Sequence, residues 1–185
     1  MSSIISLLSA AQVGSLSTTQ ISQLKTSDFA ALSTAQAAAL TSVQMPYVNA
    51  ADIVSISSAA IAALATNAST TGFSTTQASE LSASQLSTGV INSLDSANLL
   101  GSVSTAAVAG LSTATVGTLT SQQLGDLSVS DLQAISTKAI SSISITAISN
   151  LVAAGGTTLS SLTTAQVQNL SAAQISAAST APPVV

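Results

Sequence analysis

The stretch Leu8-Ser9-Ala10-Ala11-Gln12-Val13-Gly14-Ser15-Leu16-Ser17-Thr18-Thr19-Gln20-Ile21-Ser22-Gln23-Leu24 contains the organisation of the whole chain. A large apolar residue opens a unit, Ser follows, Gln stands fifth and an aliphatic residue sixth, and eight residues later the pattern begins again. Followed outward, the first position runs Leu8, Leu16, Leu24, Leu32, Leu40, Val48, Ile56 and Leu64, and the sixth runs Val13, Ile21, Phe29, Ala37, Met45, Ile53 and Ile61. A fixed short period marks a repeat array in which each unit buries its apolar side only against its neighbours.

The frame divides the chain into blocks. Residues 1–64 form an uninterrupted octad block and 65–72 a register break. The pattern resumes at Phe73 and Leu81, is reset so that Leu86/Ile91 and Leu94/Leu99 make the next pairs, and then runs from Val103 through Leu111, Leu119, Leu127, Ile135 and Ile143 to Leu151. Residues 73–151 are therefore a second repeat block with register shifts. A second break, 152–161, contains Gly155-Gly156; terminal repeats at Leu162 and Leu170 occupy 162–178, and 179–185, with Pro182-Pro183, read as a tail.

The second and fifth positions carry the local signal. The second is Ser, Thr or another capping residue almost throughout (Ser9, Ser17, Ser33, Thr41, Asn49, Ser57, Ser74, Ser82, Asp95, Ser104, Ser112, Thr120, Ser128, Ser136, Ser144, Thr163, Ser171), and the fifth is often Gln or Asp (Gln12, Gln20, Asp28, Gln36, Gln44, Asp52, Gln77, Gln85, Gln123, Asp131, Gln166, Gln174). This spacing predicts a capping box, in which the hydroxyl accepts from the amide three residues on and the fifth side chain reaches back to the cap. A helix start every eight residues implies one short helix per unit, with the sixth and first positions three apart on one face. One continuous helix fails, because eight residues at 100° rotate the apolar stripe by about 80° per repeat. The expected fold class is all-α: a solenoid of very short capped helices, one per eight-residue repeat. The competing arrangement is a β-solenoid with two units in a coil of about 16 residues and Ser/Thr ladders outside. Against it, the two anchors fall on opposite parity, and Ala, Leu and Gln favour helix.

Composition excludes several function classes. Of 185 residues only 4% are charged and 2% aromatic, with a mean hydropathy of +0.61 and a net charge of −4. With Lys25 and Lys138 as the only cations there is no patch to neutralise phosphates, so nucleic acid is not an expected partner. Ser or Thr interrupts every apolar run, so no transmembrane segment is expected. Met1-Ser2-Ser3-Ile4-Ile5 lacks a cationic start and a long apolar core, so no Sec signal is evident; a fragment or signal-independent secretion is the expectation. Zero Cys means no disulfide framework and no thiolate metal site.

Chemistry-bearing residues are sparse. There is no His, which removes the usual base for a Ser nucleophile and the commonest metal ligand. Ser–Lys chemistry would have to use Lys25 or Lys138, each embedded in an ordinary repeat unit. Among the acids Asp28, Asp52, Glu80, Asp95, Asp126 and Asp131, the closest pair is Asp126 and Asp131, but Asp28, Asp52 and Asp131 stand where Gln usually does and read as acceptors at helix N-termini. Gly155-Gly156 lacks the rest of a calcium-binding nonapeptide. The sequons Asn67-Ala68-Ser69 and Asn169-Leu170-Ser171 arise easily in such a composition. We therefore expect no catalytic, cofactor or metal site and no enzyme.

The units Leu8 to Val13, Leu16 to Ile21, Leu32 to Ala37, Leu162 to Val167 and Leu170 to Ile175 resemble the Leu-Ser/Thr-x-x-Gln-Val/Ile tracts of large, repetitive, adhesin-like bacterial surface or secreted proteins. The resemblance implies an extracellular or cell-surface spacer or adhesive module that presents a repetitive Ser/Thr/Gln surface to matrix, glycans or copies of itself. The alternative is a solenoid that binds ice or another crystal surface through spaced hydroxyls.

Overall fold

In a computed structural model, residues 3–66, 72–153 and 161–179 are described, and among them every regular element is a short helix or helical turn. The β-solenoid is thereby set aside. The physical reason lies in the caps: amides that a ladder would pair with a neighbouring strand are taken up locally by the Ser or Thr hydroxyl that precedes most of the helices. Ser9, Ser17 and Ser33 accept from the amides of Gln12, Gln20 and Gln36 at 3.2, 3.2 and 3.3 Å, and the glutamine oxygens accept the cap amides in return at 2.8, 2.8 and 2.9 Å. These caps begin the five-residue helices Ala10–Gly14, Thr18–Ser22 and Thr34–Ala38. Helices this short are far below the length that is stable alone, so their stability has to come from packing.

The five-residue helices close in the same way. The amide of the next first-position residue bonds back to the sixth-position carbonyl, as Leu16 does to Val13 at 3.2 Å and Leu24 to Ile21 at 3.1 Å, after which the chain turns extended at the next cap. The 3₁₀ closure followed by an extended cap turns the chain once per octad.

The chain forms two compact units, residues 1–104 and 105–185. In the first, helix Ala10–Gly14 packs on Thr34–Ala38, Thr18–Ser22 on the 3₁₀ turn Met45–Tyr47, Thr26–Ala30 on Ala50–Ile53, and Thr34–Ala38 on Ser58–Thr66. In each pair the octads begin 24 residues apart (Leu8 and Leu32, Leu16 and Leu40, Leu24 and Val48, Leu32 and Ile56), so one coil is three octads and three-sided. The second unit repeats this: Thr105–Ala109 packs on Val129–Ala134, Thr113–Gly117 on Thr137–Ile140, and Ser121–Asp126 on Ile145–Ala153. Sixth and first positions of the interior octads face inward, as in Leu111 with Val116 and Leu119 with Leu124.

Described helices on either side of the breaks in the octad frame still pack on one another. Helix Ala50–Ile53 packs on Thr75–Ser79, and their octads start at Val48 and Phe73, 25 residues apart, one more than in a regular coil. Similarly Thr137–Ile140 packs on Thr164–Gln168 with starts at Ile135 and Leu162, three residues more than a regular coil. Residues 67–71, 154–160 and 180–185, with the Asn67 sequon, Gly155-Gly156 and Pro182-Pro183, lie outside the described residues.

Two expectations near residue 95 are corrected. Asp95 is not a cap: the helix begun by Ser87 runs Thr88–Ser96 through it. It ends at Asn98, whose φ of 55° is left-handed; the Leu99 amide bonds to the Leu94 carbonyl and the Asn98 amide to Asp95, the double closure that Asn or Gly favours. That turn shifts the inward position by one, so Leu100 and not Leu99 is buried. Elsewhere a glycine is required by proximity: a Cβ on Gly14 would stand 2.8 Å from the Ala39 carbonyl oxygen of the next coil.

Candidate functional site

The most built feature of the molecule is a polar column inside the apolar one. Gln36, Gln44, Gln77, Gln85, Gln123, Gln166 and Gln174 are all buried, whereas Gln12, Gln20, Gln23, Gln122, Gln133 and Gln168 are exposed. Their amide nitrogens reach down to the previous coil. Gln36 donates to the carbonyls of Ile5 and Leu8, Gln44 to Val13 and Leu16, Gln77 to Met45 and Val48, and Gln85 to Ile53 and Ile56, all at 2.7–3.0 Å. In the second unit Gln166 donates to Leu132 and Ile135 at 2.8 Å each, and Gln174 to Ile143 at 2.7 Å. One side chain thus does two jobs: its oxygen caps its own helix, and its nitrogen binds the sixth- and first-position carbonyls of the coil beneath. A buried donor with two charge-neutral acceptors is satisfied at low cost, whereas either partner alone would be an unpaired group in an apolar column.

Asp at the fifth position works with the opposite polarity. Having no donor, it needs a hydroxyl from below: Asp52 accepts from Thr26, Asp131 from Thr105 at 2.6 Å, and Asp28 from Ser3 at 2.7 Å. Asp28 also takes the amides of Lys25 at 3.0 Å and Ile4 at 3.1 Å. These amide and hydroxyl donors, led by the Lys25 amide and joined by the Lys25 charge, hold the Asp28 carboxyl below its usual pKa against the opposing effect of burial. Asp28, Asp52 and Asp131 are therefore structural acceptors. Asp131 is buried against Ser128 while Asp126 is exposed, so the pair does not converge on a shared site.

The remaining candidates are dispersed. Lys25 and Lys138 are exposed at helix starts. Among the described residues no three acidic, His or Cys side chains gather as a metal site, and no helix is long and apolar enough to cross a membrane. The outer surface consists of exposed second- to fourth-position residues, as in Ser33-Thr34-Ala35, Ser112-Thr113-Ala114 and Ser136-Thr137-Lys138. A cleft of about 430 Å³ lies in the first unit between Ile4, Leu8, Leu16, Gln20, Leu24 and Lys25.

Sequence reasoning found the cap half of the glutamine's work and missed the inter-coil half. A signal was present: a capping box accepts Glu as well as Gln, yet Glu never stands at the fifth position of this chain. Only Gln keeps the acceptor and adds a donor. No protein-family model matches the chain, and neither a curated protein nor a solved structure matches it.

Proposed function

We propose that the chain is a non-catalytic structural or adhesive repeat module of a bacterial surface or secreted protein, acting as a spacer and presenting a repetitive Ser/Thr surface to matrix, glycans or like chains. The observation that carries this reading is the glutamine column, because the buried polar side chains that enzymes spend on substrates are here spent on joining one coil to the next. The exposed hydroxyl ridges support it, as does the resemblance of the octads to adhesin-like tracts. A solenoid loaded along its axis sheds one coil at a time, and 24 residues at roughly 3.3–3.6 Å each release about 80 Å. Single-molecule extension should show steps near that length, and beads carrying the chain should adhere to matrix- or glycan-coated surfaces. The reading fails if the chain stretches like a flexible linker and adheres to none of them.

Binding to ice or another crystal plane asks for an unbroken hydroxyl ladder. Stacked coils place Ala10, Thr34 and Ser58 on one side, and Thr105 beside Val129, so the ladder is interrupted. An absence of thermal hysteresis is the expected result.

A further inference from the structure

Not every octad carries the glutamine that clasps the coil beneath. In the octad that starts at Ile143 the fifth residue is Ala147, whose amide still donates to the Ser144 hydroxyl at 3.0 Å, so the cap is kept and the clasp is lost. In a complete clasp the Gln44 nitrogen reaches the carbonyls 31 and 28 residues earlier, Val13 and Leu16, and the Gln44 oxygen accepts the Thr41 amide at 2.8 Å. The same steps from Ala147 lead to Val116, Leu119 and Ser144. Among the described residues the Val116 carbonyl accepts only the Leu119 amide, at 3.2 Å, the Leu119 carbonyl accepts nothing, and the Ser144 amide donates to nothing.

The place that a glutamine side chain would take is a groove. Helix Ser121–Asp126 packs on Ile145–Ala153, and beside that contact a groove of about 280 Å³ is lined by Gly117, Thr118, Leu119 and Thr120 of one coil and by Ser144 and Ala147 of the next. Gly117, Leu119, Ser144 and Ala147 hold the positions of Gly14, Leu16, Thr41 and Gln44, and Gln44 donates to the Gly14 carbonyl as well, at 3.3 Å. The groove therefore coincides with the clasp, and its rim residues Thr118, Thr120 and Ser144 are exposed. Ala60 and Ala139 also stand fifth, but they are wholly covered, whereas Ala147 keeps 4% of its surface open.

We propose that this groove binds a primary carboxamide, the group that fills the same place in the clasped coils. Its two N–H bonds donate to the Val116 and Leu119 carbonyls, its oxygen accepts the Ser144 amide, and its methylene rests on the Ala147 methyl. The groups on the protein select that class: two acceptors and one donor are met in full by one planar NH₂ and one carbonyl oxygen. A carboxylate brings no donor and sets its charge against two carbonyl oxygens, and a secondary amide brings one N–H for two acceptors, so each leaves a polar group unpaired. The carboxamide can arrive on a small free amide or on a glutamine side chain of an extended peptide, which present the same atoms. The site rests on coil geometry alone, whether or not the module is adhesive.

The test is titration of the isotope-labelled 185-residue chain with propionamide, followed through its backbone amide resonances. Saturable shifts should appear at Gly117, Leu119, Ser144 and Ala147, and propionate and N-methylpropionamide should bind at least tenfold more weakly. Acetyl-Ala-Gln-Ala-amide, set against its Glu counterpart, separates the two sources: binding tighter than that of propionamide assigns the groove to a peptide-borne glutamine, and weaker binding assigns it to a free amide. Ala147→Gln supplies the group from within, so it should raise the melting temperature by a few degrees and weaken the propionamide response at least tenfold. Should that variant not fold, Gln44→Ala opens the same place in the first unit and should gain propionamide-dependent shifts at Leu16 and Thr41 that the wild type does not show. Shifts that are absent, or equal for propionamide and propionate, overturn the proposal, as does an Ala147→Gln chain that folds but melts below the wild type, since its carboxamide would then not fit the groove.

Discussion

The first coil, residues 8–31, and the second, residues 32–55, are written in the same octad language and make the same local bonds, yet they differ in what they bury. The Ser17 and Ser33 hydroxyls accept their amides at 3.2 and 3.3 Å, and the following helices are both five residues long. But Leu8, Leu16 and Leu24 stay half-buried while Leu32, Leu40 and Val48 are buried, and Gln12 and Gln20 are exposed while Gln36 and Gln44 are not. Helix formation therefore belongs to the octad, and burial belongs to the stack. A unit becomes interior only when coils lie on both sides of it, which is the nearest-neighbour logic of solenoids.

The sharpest way to break this distinction is to delete the same side chain at both levels. Leu40→Ala removes a fully packed residue and should cost about 2–5 kcal/mol in urea denaturation of the full chain. Leu16→Ala should cost clearly less, because part of its surface is already in water and the cavity opens to solvent. Equal losses would mean that burial is set within the octad and not by its neighbours.

The glutamines separate the two levels next. Gln44→Ala removes a cap acceptor and also leaves the Val13 and Leu16 carbonyls facing a void, whereas Gln20→Ala removes the cap acceptor alone. Gln44→Ala should therefore be the worse change by about 1–3 kcal/mol, the cost of leaving buried polar groups unpaired. Thermal melts of the two variants decide it; a difference near zero would sink the two-job account of glutamine.

How much of this the sequence disclosed follows the same division. Most of what is confined to one octad was legible, Asp95 apart: the caps at Ser112, Thr120 and Ser128 accept from the amides of Thr115, Gln123 and Asp131, and Leu111 and Leu119 face inward. What depends on the stack was not. Three octads per coil is a consequence of the turn angle at each cap, which no residue spells out, and the glutamine nitrogens find carbonyls 28–32 residues away in the first unit. The shift from Leu99 to Leu100 comes from a single left-handed residue at Asn98, a backbone choice that Asn permits but does not demand. As for a site, Asp28 and Asp131 accept the cap amides as their spacing predicts, whereas Asp52 accepts the Thr26 hydroxyl and leaves the cap to Asn49.

If local terms are truly local, the caps should not distinguish the two coils. Ser17→Ala and Ser33→Ala each delete one hydroxyl acceptor of the same geometry and should each cost roughly 1 kcal/mol. Circular dichroism melts should shift both variants equally. A markedly larger loss at Ser33 would show that capping and stacking are coupled, and that the clean division between octad and stack is too simple.

The smallest effect concerns the one side of the first coil that is covered. Asp28 receives the Ser3 hydroxyl and the Ile4 and Lys25 amides, which hold its carboxyl below the ordinary value. A carboxyl whose folded pKa is depressed contributes stability that is fully present above its unfolded pKa of about 3.9 and is lost as the pH falls through the lower folded value. Protonation removes an acceptor that residues 3–4 need, so the loss should begin at that end, with residues 3–7 releasing the Thr26–Ala30 helix before the interior coils are affected. Asp28→Asn carries no such titration. Its melting temperature should be somewhat lower than wild type near neutrality, and the gap should narrow as the pH drops from about 5 to below 3. Hydrogen exchange should place the acid-induced opening in the first coil of the wild type, beside Lys25 to Ala30, while Gln44 and its carbonyl partners stay protected. A gap that is constant with pH would show that the carboxylate charge does nothing there that a neutral amide cannot do.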